Sequence, residues 1–131
     1  LQKMTGAQNF EGFCGRGATV KTFERTLYLA KLCVDERHPA WWQIHFVGDG
    51  FLRKMVRNLV GTATDIALGR RPLSCIDDAL ATRDRSKAGP TAPADGLVME
   101  EVFYDEAALQ ARLQALSAAS EHHVAPLFEC F

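Results

Sequence analysis

The chain has 131 residues, 47% of them hydrophobic and 24% charged, with 15 Lys+Arg against 16 Asp+Glu and a net charge of −1. That balance excludes wholesale disorder and a polycationic tail, and the length suits one domain with a modest core. No apolar run approaches the roughly 18 residues needed to span a bilayer, and Cys14, Cys33, Cys75 and Cys130 are too scattered for a disulfide framework, which reads as a reduced intracellular protein.

The opening Leu1-Gln2-Lys3-Met4 is neither a signal peptide nor an initiation context, and reads as a chain entered midway. Thr5 to Gly17 is rich in Gly and Asn, with Phe10 and Phe13 spaced to pack on one side of a short turn or helix. The β-branched and aromatic content of 26–34 predicts a strand. After a polar turn over 35–39, the alternation of 41–47 predicts an antiparallel partner, closed by Gly48-Asp49-Gly50. From Phe51 the period becomes helical: Leu52, Met55, Val56, Leu59, Val60, Ala63, Ile66 and Ala67 recur on one side, and Gly69 stands where a cap belongs. Pro72 opens a second helix to about Thr82, with Leu73, Ile76, Ala79 and Leu80 inward. A Gly/Pro/Ala loop comes next, then a strand over 96–104 and an Ala- and Leu-rich helix over 107–119. This order predicts an α+β fold, an antiparallel sheet with helices packed on one face, and no internal domain boundary.

Charge is unevenly spread. Residues 53–87 hold eight Lys/Arg against four Asp/Glu, whereas 95–131 hold only Arg112 against seven acids. Either one face meets a polyanion, or the charges decorate solvated helix faces. On the first helix, Arg53, Arg57, Gly61 and Thr64 share a face. Gly61 costs that helix about 1 kcal/mol relative to alanine, so something is expected to approach its backbone closely. Arg57 stands at the edge of the core and requires a partner: a carbonyl, a carboxylate of this chain, or an anion from outside it.

Arg83, Asp84, Arg85, Ser86 and Lys87 offer phosphate donors in a compact run, with Asp84 able to orient one arginine, or form an ordinary solvated loop. Pro90, Pro93 and Gly96 stiffen the remainder of that loop. Leu97 either presents an apolar contact to a flat ring or begins a core strand. His38, His45, His122 and His123 lack metal-ligand spacing with the cysteines, so no zinc site is expected. Neither facing carboxylates, a nucleophile elbow, a P-loop nor a dinucleotide fingerprint occurs. Taken alone, the chain assembles no catalytic constellation.

Five landmarks occur in order: Asn9-Phe10-Glu11-Gly12-Phe13-Cys14, Glu24-Arg25-Thr26-Leu27, Gly48-Asp49-Gly50-Phe51-Leu52, Met55-Val56-Arg57-Asn58-Leu59-Val60-Gly61, and the run from Arg83 to Leu97. From Thr5 to Tyr104 the chain thereby resembles the carboxyl-terminal half of the TruA-type tRNA pseudouridine synthases. The resemblance implies isomerisation of uridine in tRNA, in the anticodon stem-loop, without cofactor or metal. In that family an aspartate attacks a flipped-out nucleotide. Arg57 matches the arginine that pairs with this aspartate. Leu97 matches the leucine lining the uracil pocket, with Gly96 beside it and Phe51 assigned to the same substrate contact. Arg53 and Lys54, where bacterial-type members often carry Tyr or His pairs, are assigned to RNA together with Arg83, Arg85 and Lys87.

The family's Gly-Arg-Thr-Asp-Ala-Gly motif, which bears the nucleophile, is absent, as is the pocket tyrosine of the amino-terminal half. The resemblance therefore implies a single carboxyl-terminal domain whose partners are tRNA and the amino-terminal half of the same protein. The parent is expected to be an active homodimer and this chain to be inactive, with 114–131 an extension of unassigned role. Two other readings stand beside it: a noncatalytic RNA-binding module derived from such an enzyme, and a structural α+β interaction domain.

Overall fold

The computed structural model describes residues 1–35 and 37–119. Three antiparallel strands, β1 (Gly6–Asn9), β2 (Glu24–Asp35) and β3 (His38–Gly48), form one sheet in the order β1-β2-β3. Helices α1 (Met55–Ala67), α2 (Ser74–Thr82) and α3 (Glu106–Ala118) complete an α+β arrangement, as expected.

The hairpin read from alternation is present, with Ala30 facing Phe46 and Leu32 facing Ile44. The turn after it is a clasp. Asp49 Oδ1 accepts from the Thr26 amide at 2.9 Å, and the Asp49 amide donates to the Thr26 carbonyl at 3.0 Å. Strand β1 is an addition to the sequence reading, which had a turn or helix over 5–17. Gly6 and Asn9 have little strand propensity, and β1 is held by its ladder to β2, from Gly6 opposite Leu27 to Asn9 opposite Glu24. Phe10 and Phe13 do pack on one side, both fully buried with ring centroids 6.4 Å apart.

The core joins Met4, Phe10, Phe13, Leu27, Leu52, Met55, Leu59, Ile76 and Ala79. It lies where α1 and α2 meet the chain around β1. Gly12 makes that contact possible, since a Cβ there would stand 2.2 Å from the Ala79 carbonyl oxygen. Helix α1 starts at Met55 rather than Phe51, because Lys54 takes a left-handed conformation (φ 58°) that ends the preceding turn. Gly69, at φ 68°, closes α1 as expected, its amide donating to the Ile66 carbonyl at 3.0 Å. In the second helix Ile76 and Ala79 are buried, but Leu73 lies before the helix and is exposed.

The expected strand over 96–104 does not form. Leu97, Val98, Met99, Val102 and Tyr104 are exposed, Met99 at 83% and Tyr104 at 94%. Side chains tether this segment instead: Arg112 Nη2 donates to Glu100 Oε1 at 2.7 Å, and the other Glu100 oxygen lies 3.4 Å from His45 Nδ1. A strand needs a neighbour's amides and carbonyls, and none of β1 to β3 supplies them here.

Helix α3 is capped at both ends. Asp105 Oδ1 accepts from the Ala108 amide at 2.7 Å. At the other end the buried Lys31 Nζ, reaching from β2, donates to the carbonyls of Leu116, Ser117 and Ala119 at 2.9, 3.0 and 2.7 Å. Of the stretch 114–131, Gln114–Ala118 finish α3, while 120–131, with Cys130 and the His122-His123 pair, lie outside the described residues.

Candidate functional site

Helix α1 offers one face to the loop that comes after α2. Along that face Gly61 has no room for a side chain, since a Cβ would lie 1.8 Å from the Pro90 carbonyl oxygen. Gly89 returns the fit, because its Cβ would lie 2.7 Å from Thr62 Cα. The close approach inferred from a glycine within a helix is thus made by the chain's own loop.

One turn earlier, Arg57 is gripped by that loop. Its Nε donates to the Ala92 carbonyl at 2.7 Å, and the Ala92 amide donates back to the Arg57 carbonyl at 3.0 Å. Of the partners left open, the structure selects the carbonyl. Arg57 is half-buried, and no carboxylate among the described residues forms an ion pair with it. An Nε bond fixes the plane of a guanidinium and leaves its two terminal nitrogens to point onward. Such a fork suits a carboxylate arriving from outside.

Asn58 fastens the loop to α1. It is fully buried; its Nδ2 donates to the Phe13 carbonyl at 2.7 Å, and its Oδ1 accepts from Arg85 Nη2 at 2.9 Å and Thr91 Oγ1 at 2.6 Å. Arg85 Nη1 also reaches the Gly89 carbonyl at 2.8 Å. Thr62 Oγ1 donates to the Asn58 carbonyl at 2.7 Å and accepts from the Gly89 amide at 2.8 Å. Burial first, and then the neighbouring Arg71 charge, push Arg85 below the usual guanidinium range. Its charge is therefore met by oxygen dipoles inside the protein. Sequence reasoning missed Asn58, Thr62 and Thr91. A signal for the first two existed, because Asn58 and Thr62 are polar positions four apart on a helix that otherwise buries apolar side chains.

The other named residues occupy different settings. Arg83 is exposed and left-handed (φ 57°) at the end of α2. Lys87 is exposed, and its carbonyl accepts from Arg71 Nη1 at 3.3 Å. Asp84 orients no arginine. Its Oδ1 accepts from the Ser86 amide at 2.8 Å, and that bond, followed by one to the Ser86 side chain, holds its carboxyl below the ordinary range. Arg53 and Lys54 are exposed at the foot of α1, while Phe51 (45%), Gly96 and Leu97 (50%) face solvent. Burial pushes the Cys14 and Cys75 thiols up, so neither supplies a ready thiolate. A shallow polar hollow of about 540 Å³, lined by residues including Gln8, Asn9, Glu24, Arg25 and Asp49, has neither Arg57 nor the loop among its walls.

The family model described as tRNA pseudouridine synthase matches residues 1–105, which include both strands of the hairpin, α1, α2 and the whole clamped loop. The chain belongs to the tRNA pseudouridine synthase family. It is 40% identical over 103 residues to the tRNA pseudouridine synthase A of Syntrophomonas wolfei, covering 79% of this chain and 40% of the relative. It is 41% identical over 106 residues to those of Streptococcus mutans and Streptococcus pneumoniae, covering 81% of this chain and 42% of each relative. The chain thus spans about two fifths of the length of these pseudouridine synthases.

Proposed function

We propose that this chain is the carboxyl-terminal domain of a longer tRNA pseudouridine synthase and contributes one wall of a composite active site. The observation that carries the reading is Arg57: half-buried, held in plane by Ala92, and without a carboxylate among the described residues. An aspartate from the remaining part of the parent would complete it. There the Arg57 fork keeps the nucleophile ionised and aimed while the uridine, out of its stack, is detached from and rejoined to its ribose. Leu97, with Gly96 and Phe51 assigned to the same role, lines the uracil pocket. Arg53, Lys54, Arg83 and Lys87 meet tRNA phosphates, with the anticodon stem-loop as the target region. Arg85 serves the same end indirectly, by fixing the loop. The exposed apolar segment 97–104 is where the rest of the parent docks, adding the neighbour that a strand there requires. The parent works as a homodimer inside the cell, and this chain alone is inactive.

The test is turnover by the parent on a tRNA transcript, wild type beside Arg57→Ala and Arg57→Lys. Isomerisation leaves mass unchanged, so product is read as carbodiimide adducts mapped by primer extension. Loss of product in both variants, with the fold intact by circular dichroism, supports the reading, since lysine cannot reproduce a planar fork. Unchanged turnover in Arg57→Ala would remove Arg57 from the mechanism.

A further inference from the structure

We infer that Gly15-Arg16-Gly17, seated against Arg53 and Lys54, forms a phosphodiester-binding surface for an RNA strand, with Arg16 as a cation of that surface. Its ligand class rests on the pseudouridine synthase reading; its place rests on geometry. The Gly15 amide donates to the Arg53 carbonyl at 2.7 Å, tying the loop to the foot of α1. A Cβ on Gly15 would meet Lys54 Cδ at 3.1 Å and the Arg53 carbonyl oxygen at 3.2 Å. Gly17 takes φ 76°, and its carbonyl lies 3.4 Å from Arg53 Nη1. Two tightly placed glycines thus hold the exposed Arg16 beside two exposed cations of α1's approach.

Arg16, Arg53 and Lys54 form no ion pair with any described residue. Four other cations are paired within the chain, Lys3 with Asp77, Arg70 and Arg71 with Asp65, and Arg112 with Glu100 and Glu101, while Lys21, Arg25, Arg83 and Lys87, like these three, form no ion pair among the described residues. Glu11 and Arg53 both act on the buried Cys14 thiol, so one acid is in the neighbourhood, yet it pairs with none of the three. Lys54 holds its left-handed backbone at a strain that a glycine would avoid. A polyanion supplies the counter-charge these cations lack and gains by displacing its own condensed counterions. Arg53 immediately precedes the left-handed Lys54 that starts α1, so the surface lies at the N-terminal end of the helix that carries Arg57.

The experiment is tRNA binding by the full 131-residue chain across a salt series, with Arg16→Ala, Arg53→Gln and Lys54→Gly singly and together. Lys54→Gly removes the charge while relaxing the left-handed residue, so the fold is not at risk at that position. Each lost phosphate contact lowers the slope of log affinity against log salt by about 0.7 to 0.9, and the triple variant by about two to three. Lys3→Gln, which removes an equal charge already paired with Asp77, leaves the slope unchanged. Binding whose slope and strength survive the triple substitution would overturn the inference, as would no measurable binding by wild type at low salt. Turnover by the parent is a separate readout, so the enzymatic reading stands or falls independently of this surface.

Discussion

Gly61→Ala separates two physical accounts by the sign of its effect. Helix propensity alone predicts stabilisation of about 1 kcal/mol, because glycine in a helix interior is that much worse than alanine. The structure predicts the opposite. The new Cβ would stand 1.8 Å from the Pro90 carbonyl oxygen, and 3.1 Å from the Ala92 amide nitrogen. Both opposing atoms are backbone, so no side chain can swing away; the loop itself must lift by more than an ångström. Overpacking of this kind costs about 1–3 kcal/mol. Lifting the loop also strains the paired Arg57–Ala92 hydrogen bonds, each a net contribution of about 1 kcal/mol. After subtracting the propensity gain, a net loss of about 1–3 kcal/mol is expected. Urea unfolding of the chain checks it, with the midpoint falling and the slope unchanged. Gly96→Ala is the control, since a Cβ there meets nothing within 4 Å. A Gly61→Ala chain as stable as wild type, with undiminished parent turnover, would refute the claim that this contact holds the loop and aims Arg57.

Asn58→Ala removes the acceptor shared by Arg85 and Thr91 and leaves a partly buried guanidinium short of partners; a loss of about 3 kcal/mol in urea unfolding is expected, well above an ordinary side-chain truncation. Lys31→Met keeps the apolar stem but strips three carbonyls at the end of α3, so amide exchange over the last turn of that helix should accelerate while β2 stays protected. Asp84, with its carboxyl held below the ordinary 3.8, contributes stability above that pH and loses it as pH falls through its depressed folded value; Asp84→Asn should flatten that acid limb, and an unchanged limb would count against the Ser86 cap. Amides of 97–104 should exchange slowly in the parent and rapidly in this chain; equal rates in both would detach the segment from any docking role.

How much of the fold can be read in the sequence depends on how local its cause is. The β2–β3 hairpin and the body of α1 were legible because a period of two or 3.6 is written into neighbouring residues. Gly69 was legible as a cap because its conformation is its own. Strand β1 was not, because four weak strand formers acquire their state from β2 across the ladder. Gly61 announced that something touches α1, but not what, since Pro90 lies far along the chain and its approach depends on a network through Asn58, Thr91 and Arg85. The same distance hid the division among the basic residues. Arg83, Arg85 and Lys87 look alike as a run, yet one is turned inward and two face water.

The segment 96–104 fails in a different way. Its composition carries strand propensity in full, and Leu97, Val98, Met99, Val102 and Tyr104 give it more apolar surface than a solvated connection needs. Among the described residues the sheet ends at β1 and β3, and the segment is tethered by the side chains of Arg112 and His45 rather than by backbone pairing. A local preference that the surrounding structure leaves unused marks a conflict between levels, and such conflicts are uncommon in sequences that fold well. On the composite-site reading the conflict dissolves: the propensity belongs to a sheet that this chain only partly contains. Leu97, at the start of that unpaired segment, and Arg57, without a carboxylate among the described residues, are then two aspects of one incompleteness. On that reading Arg57, held by Ala92, and the exposed Leu97 both await a partner from the rest of the parent.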